Sequence, residues 1–322
     1  MRNGLKVLLI CAVMAIVWSN TGLVAAPPGA RSFAAGRFGV EIDGSQVGFL
    51  NAVEGGLAFG DVVKEAGEDF FFKKHIGNAG FRDIRLEFGA DMDKSFYDWI
   101  AAALRGEHFN LSGAIVGINF NGDVVSRLEF QRAQITEVTF PALDATSKDA
   151  ARMSIVLSPE HTALNRKASG KLSVKSTRSQ KMWLSSSFKL SIDGIDTTKV
   201  SKIDALTIKL PRVSNGECFG CDNLPTPPPV DFPHLVVTLG EPAESVYDWF
   251  EKFVIDGNNS DSQEKGGTLT FLASDLKTTI FSIKFNNLGI FEMMPIVLEA
   301  NASSVPRLLA AMYCESMEFM LP

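Results

Sequence analysis

Hydrophobic and polar positions alternate along much of this chain. Residues 38–42 form one alternating run, and Asp43-Gly44 follows it, which predicts a strand closed by a tight turn. The pair Asn121-Gly122 predicts another tight turn between two strands. In the first half of the chain, the pattern predicts strands over residues 38–42, 47–49, 84–88, 114–120, 124–130, 135–140 and 153–157.

Two segments depart from this alternation. Asp91 or Asp93 is placed to cap a helix that runs to about Leu104 and has one apolar face. We interpret Trp99, on that face, as the side chain that anchors the helix to a sheet. Residues 54–80 follow neither period and contain several glycines, so they are predicted to form a long irregular loop with a functional or interaction role.

The pattern of the first half returns in the second half. The hexapeptide SFYDWI at Ser95–Ile100 is echoed 150 positions later by SVYDWF at Ser245–Phe250, and residues 130–160 match 285–315 at a distance of 155. We therefore interpret the chain as two tandem copies of one domain. The second copy is predicted to have strands over residues 188–192, 235–239, 268–271 and 278–285. The framework residues repeated between the copies are Asp43, Gly44, Tyr97, Asp98 and Trp99 in the first and Asp193, Gly194, Tyr247, Asp248 and Trp249 in the second.

The duplication defines the predicted domain organisation. A signal peptide over residues 1–26 and a flexible leader over 27–36 precede the first domain, 37–160, and a linker over 161–185 precedes the second domain, 186–322. The linker carries six Lys and Arg residues and no acid. We interpret it as a solvated tether, and the alternative is an anion-binding patch.

The first residues have the composition of an export signal. Arg2 and Lys6 precede an apolar run over residues 7–18, and small residues end at Ala25-Ala26. We expect cleavage and a periplasmic, cell-surface or extracellular location; an uncleaved membrane anchor is the alternative. Loss of Arg2 and Lys6 would change the net charge from -6 to -8, which argues against general nucleic-acid binding. No later apolar run is long enough to span a membrane.

The cysteines allow two interpretations. Cys218 and Cys221 are spaced for a local disulfide in an oxidising compartment, or for half of a metal site. A metal site would need a second chelating pair, and the sequence shows none. Cys314 is then left unpaired or is available to another chain.

The chain carries no recognisable catalytic motif. Its four histidines lie in different segments, and it has neither a nucleophile motif nor a glycine-rich phosphate loop. A secreted hydrolase would have only scattered polar residues in its favour. We therefore predict a protein that is not an enzyme and binds no cofactor or metal.

The first copy resembles a known family. Residues 38–49 are similar to the opening hairpin, and 53–56 to the start of the long loop, of the tail tube proteins of contractile phages and related injection systems. That family includes the haemolysin-coregulated protein of type VI secretion. Residues 80–100 resemble the strand and helix that follow, and 113–160 resemble the closing strands. The resemblance implies an antiparallel β-barrel flanked by one α-helix, and subunits that form six-barrelled rings stacked into tubes, with the long loop contacting the next ring.

These observations lead to a mainly β fold of two tail-tube-like barrels. The leading hypothesis is an exported structural protein whose partner is itself, with three two-domain chains forming a pseudo-six-fold ring. The alternative is a secreted monomeric binding module that recognises a carbohydrate or protein ligand through loops 54–80 and 215–233. Exposed strand edges on both barrels would favour the first, since a monomer needs to cover or charge its edges.

Overall fold

The computed structural model describes residues 36–67, 70–107, 109–172, 183–212, 229–240, 243–296 and 306–322. This part of the chain is mainly β, as predicted, and one sheet curves into a nearly closed barrel. The predicted signal peptide, almost all of the predicted leader, His108, Cys218 and Cys221 lie outside the described residues.

The described residues of the first half form eleven strands and one helix. In chain order they are β1 (Arg37–Ile42), β2 (Ser45–Leu50), β3 (Ala52–Gly55), β4 (Ala58–Ala66), β5 (Phe72–Phe81), β6 (Ile84–Phe88), α1 (Lys94–Leu104), β7 (Leu111–Ile118), β8 (Val124–Phe140), β9 (Leu143–Asp144), β10 (Met153–Ser158) and β11 (His161–Asn165).

In the second half, the part of the chain that is described forms eight strands and one α-helix. In chain order they are β12 (Phe188–Ile192), β13 (Val200–Ile203), β14 (Leu206–Lys209), β15 (Leu235–Gly240), α2 (Glu244–Phe250), β16 (Lys265–Leu272), β17 (Thr279–Ile296), β18 (Arg307–Tyr313) and β19 (Ser316–Met320). A π-helical turn, Glu251–Ile255, continues α2, and a 3-10 turn follows at Asp261–Gln263.

The two large sheets have the same order of neighbouring strands from β1 in the first and from β12 in the second. The first runs β2-β1-β7-β8-β10-β6-β3, with β11 also on β8. The second runs β12-β16-β17-β18-β15-β13, with β19 also on β17. All of these pairs are antiparallel. Strands that correspond by their distance along the chain therefore have corresponding partners.

Local geometry is repeated as well. Asp43 donates its backbone N–H to the Ser112 carbonyl at 3.0 Å, and Asp193 donates to the Gly266 carbonyl at 2.9 Å. The long strands β8 and β17 each contain a residue with positive φ, Arg132 at 49° and its counterpart 155 positions later at 56°. Gly44, at φ 80°, closes the first hairpin, where a residue without Cβ fits most easily.

The structure differs from the predicted elements in two places. Within residues 54–80, the strands β4 and β5 pair as an ordered hairpin, which we call the arm, where an irregular loop was predicted. Most arm residues are exposed on both faces, so no buried face imposed alternation on the sequence. In addition, 124–130 and 135–140 belong to the single strand β8, because the positive φ at Arg132 interrupts the alternation without ending the strand.

The segment interpreted as a linker begins and ends in the folded core. His161–Asn165 is β11, which pairs with β8 along its whole length. At the other end Trp183 is buried, and Leu184 forms a β-bridge with Ala150. Residues 173–182 of the segment lie outside the described part of the chain.

Candidate functional site

Strands cross between the two halves of the chain. β14 of the second half pairs with the end of β8 in the first, with Leu206 opposite Phe140 and Lys209 opposite Glu137. β9 of the first half pairs with β13 of the second. We call these two strand pairs, residues 137–140 with 206–209 and 143–144 with 202–203, the internal junction. Each half therefore completes part of the other half's sheet.

A cluster of aromatic rings lies behind the internal junction, with Phe281 fully buried at its centre. Rings from both halves surround Phe281, so the apolar core is continuous across the junction. The distances from its ring centroid are 4.6 Å to Phe271, 5.2 Å to Phe319, 5.2 Å to Trp183, 6.2 Å to Tyr97 and 6.2 Å to Phe140.

The helices show how the junction changes two corresponding residues. Tyr97 of α1 packs against Phe281 and Phe319 and is only 5% exposed. Its hydroxyl donates to the Gly89 carbonyl at 3.2 Å, and burial raises its pKa well above the ordinary value. Tyr247 occupies the corresponding position of α2 and is 42% exposed. The same position is thus inside the core in one half and at the surface in the other.

Polar contacts define the register of the internal junction. The Thr139 and Thr207 hydroxyl oxygens are 3.1 Å apart across the β8–β14 pair. Lys202 Nζ lies 2.7 Å from the Asp144 carboxylate across the β9–β13 pair. The bond from Lys202, together with those from the Thr146 hydroxyl and N–H, holds the pKa of Asp144 well below its ordinary value of 3.8.

This shifted pKa predicts an acid-dependent contribution to stability. A carboxyl group with a lowered pKa in the folded state stabilises the fold above its unfolded pKa, and that contribution is lost as the pH falls towards the folded value. We expect Lys202→Met to be less stable than the unchanged chain above about pH 4, with the difference shrinking at lower pH. Urea denaturation at a series of pH values measures this difference, and a difference independent of pH would contradict the prediction.

The other candidate groups among the described residues are histidines, acids and Cys314. Within the described ranges, no group of three or more His, Cys, Asp or Glu residues is close enough to hold a metal ion. His75 faces Glu65 at 3.6 Å on the arm, whereas His161 and His234 pack against separate phenylalanine rings. Cys314 is buried, and its burial raises the pKa of the thiol to about 12, which makes it a poor nucleophile.

In each half, the repeated framework residues lie in two places, a turn and the helix. Trp99 and Trp249 are buried against the sheets, as interpreted for Trp99. Asp98 is exposed and forms an ion pair with Lys94 at 2.6 Å, and Asp248 is exposed as well. The Asp-Gly pairs are in turns. These positions are consistent with roles in folding.

Of the two loops proposed for ligand recognition, the structure describes most of residues 54–80 and a small part of 215–233. The arm presents Phe70, Phe71 and Phe72 at its tip, all largely exposed. Only 229–233 of the loop 215–233 is described. These residues border an open cavity of about 440 Å³ beside β14, which is also lined by Lys209 and Leu210.

Sequence reasoning missed the two strands that cross between the halves. Leu206 and Ile208 are buried and alternate with polar residues, but the run is only four residues long. β9 has only two residues. Runs this short give little periodicity, and nothing in them indicates which half supplies the partner strand.

One family model matches part of the first half of the chain. Residues 34–163 match the family model of the T4-like virus tail tube protein gp19. The resemblance inferred for the first copy is thus confirmed over these residues. No curated protein matches the chain.

Several solved structures are similar to part of the chain. One is from the sheath-tube complex of PVC, an extracellular contractile injection system, at 21% identity over 43% of this chain and 94% of that chain, with a TM-score of 0.38. Another is from the tube-terminating cap of the anti-feeding prophage, at 21% identity over 46% and 99%, with a TM-score of 0.37. A third is Hcp1 from Flavobacterium johnsoniae, at 12% identity over 42% and 99%, with a TM-score of 0.29.

The length and composition of the helices bear on membrane insertion. Among those described, none is both long and apolar enough to cross a membrane.

Proposed function

We propose that this chain is a structural protein made of two tail-tube-like domains, which assembles with copies of itself into rings and tubes. One observation carries the proposal: two halves with the same strand order are joined edge to edge by the internal junction. The match of residues 34–163 to tail tube proteins supports a tube-like role.

The proposed duplication assigns 37–160 and 186–322 to the two domains. It is supported by the corresponding strands, by the positive φ shared by Arg132 and Asn287, and by the repeated helices. In this proposal the framework residues common to both copies serve the fold of each domain. The protein has no enzymatic activity and requires no cofactor or metal.

A chain of two joined domains can extend into a ring by repeating the contact that joins them. Such a contact is heterologous, because it uses different surfaces of the two units, and it closes when the rotation between units divides a full turn. Three chains would supply six domains. Stacking of these rings, with the exposed arm between them, would produce a tube.

We further propose that the protein is exported. This rests on the composition of residues 1–26, which resembles a signal peptide. A periplasmic, cell-surface or extracellular tube would then be the site of action, with Cys218 and Cys221 in an oxidising compartment that favours their pairing.

The mass of the assembled protein tests the proposal. We expect the chain from residue 27 onwards to form particles of three chains, or stacks of them, in native mass spectrometry and in negative-stain electron microscopy of the same sample. Disappearance of these particles on dilution would show reversible assembly, which is also consistent with the proposal. A monomer at all concentrations from micromolar to millimolar would contradict it and favour a monomeric binding module.

A further inference from the structure

Each of the two strand edges that meet at the β8–β14 pair of the internal junction has a counterpart in the other half of the chain. The end of β8 that receives β14, residues 137–140, corresponds 155 positions later to residues 292–295 near the end of β17. Both strands contain a bulge just before this segment, at Thr136 in β8 and at Phe291 in β17. Among the described residues, β17 pairs over 292–296 with β18 alone, so its other edge is open.

The counterpart of β14 lies at the base of the arm. β14 corresponds, 150 positions earlier, to residues 56–59, where β4 begins. β4 pairs with β5 on one edge, and among the described residues no strand pairs with its other edge. The open edges of β17 and β4 thus correspond to the two strand edges that pair within the chain at the internal junction.

The backbone groups at the base of the arm point in the direction that the correspondence with β14 requires. Leu210 donates its N–H to the Thr136 carbonyl at 2.8 Å, and antiparallel pairing alternates, so Ile208 also points its backbone groups towards β8. At the base of the arm, Arg82 donates to the Leu57 carbonyl at 3.1 Å. The same alternation turns the N–H and C=O of Ala58, the counterpart of Ile208, towards the open edge.

Apolar side chains are exposed at these counterpart positions. Leu57 is 50% exposed and corresponds to Thr207, and Met294 is 47% exposed and corresponds to Thr139. The two threonines face each other across the internal junction. The polar pair at the internal junction therefore corresponds to two exposed apolar side chains, one in each half of the chain.

The corresponding tyrosines of the two helices, Tyr97 in α1 and Tyr247 in α2, show the same relation between a contact inside the chain and exposed counterparts. Tyr97 packs on Phe319 at the internal junction, with ring centroids 6.2 Å apart. The counterpart of Phe319 in β11 is Leu164, which is 40% exposed. Tyr247 and Leu164, which are exposed in different halves of one chain, would meet if two chains repeated the internal contact.

We propose that the open edge of β17 binds the base of the arm of a second copy in the register of the internal junction. Met294 of one copy then lies opposite Leu57 of the next, and Met293 lies opposite Ala58. Tyr247 of the first copy packs on Leu164 of the second. This rests on the proposed function and assigns the surfaces through which one chain binds the next.

Pro295 sets the extent of this strand pairing. Its counterpart is Phe140, which lies opposite Leu206 with its N–H on the β14 side by the alternation above. Proline has no N–H to donate, so the ladder between chains ends at this position. The contact between copies therefore relies on a short ladder and on the apolar pairs beside it.

Cysteine cross-linking tests the register directly. Thr139 and Thr207 form a pair without mutual backbone hydrogen bonds, where Cα atoms lie about 4.5 Å apart, within the range of a disulfide. In a chain with Cys218→Ser and Cys221→Ser, we expect Leu57→Cys with Met294→Cys to give oxidised dimers and trimers on a non-reducing gel. Thr139→Cys with Thr207→Cys is the matched control and should cross-link within one chain.

Single variants establish that the contact is heterologous. Leu57→Cys alone and Met294→Cys alone should remain uncross-linked, and a mixture of the two should give dimers and no larger product. Self-cross-linking of either single variant would show a two-fold symmetric contact and overturn the proposal. The mixture also carries the test if the double variant does not fold.

The outcomes separate this inference from the proposed function. Rings in the microscope without Leu57–Met294 cross-linking, while the control pair cross-links, would overturn the register and leave self-assembly standing. A monomer in solution together with no intermolecular cross-link would contradict both.

Discussion

Replacing Phe281 with alanine is expected to lower the free energy of unfolding by about 3–5 kcal/mol, as for other buried phenylalanines. Phe281 is fully buried and contacts rings from both halves of the chain. Loss of the ring removes apolar burial and leaves a cavity that neighbours held by several strands cannot fill. Because the cavity lies behind the internal junction, both halves should lose stability together.

Urea denaturation, followed by tryptophan fluorescence, measures this effect. Trp183 lies 5.2 Å from the Phe281 ring and reports on the junction. Phe120→Ala is the matched control, since Phe120 is 89% exposed and its removal should change stability by less than about 0.5 kcal/mol. Two separate unfolding transitions, only one of them shifted by Phe281→Ala, would contradict a shared core.

Elements with one buried face could be predicted from the sequence. The predicted strand 38–42 corresponds to β1, and the alternation of Leu235, Val237 and Leu239 corresponds to β15, in which these three side chains are buried. The helix with Trp99 begins and ends within about two residues of its predicted bounds. In each case burial of one face imposes a period that is readable along the chain.

Elements without such a face could not be predicted in this way. The arm is an ordered hairpin with most of its residues exposed, so its sequence contains no period of two to detect. Its order comes from backbone pairing between β4 and β5. Backbone pairing depends little on side-chain pattern, and register is weakly encoded where neither face is buried.

The exchange of strands at the internal junction depends on long-range contacts. β14 lies 66 positions from its partner in β8, with Leu206 opposite Phe140. Its four-residue run is too short to predict a strand, and the choice of partner follows from which sheet edge is left open. The duplication inferred from SFYDWI and SVYDWF located corresponding residues, whereas the difference in burial between Tyr97 and Tyr247 emerged only from the folded chain.

Gly55 connects β3 to the arm, and Gly55→Ala is expected to lower the free energy of unfolding by about 2–4 kcal/mol. Gly55 has φ +88°, a conformation that alanine adopts at a cost of about 1 kcal/mol. In addition, a Cβ at this position would overlap the carbonyl oxygen of Asp83. That carbonyl accepts the Gly56 N–H at 3.1 Å, so it cannot move without breaking the turn that leads into the arm.

Gly44→Ala is the matched control because it isolates the cost of placing alanine at positive φ. Gly44 has φ +80°, and a Cβ there would have open space around it. The cost should therefore be limited to the strain of positive φ, about 1 kcal/mol. Chemical denaturation of both variants gives the two values, and equal losses would mean that the Asp83 carbonyl yields freely. A larger loss for Gly55→Ala would show that this turn fixes the base of the arm, the segment proposed to pair with β17 of another copy.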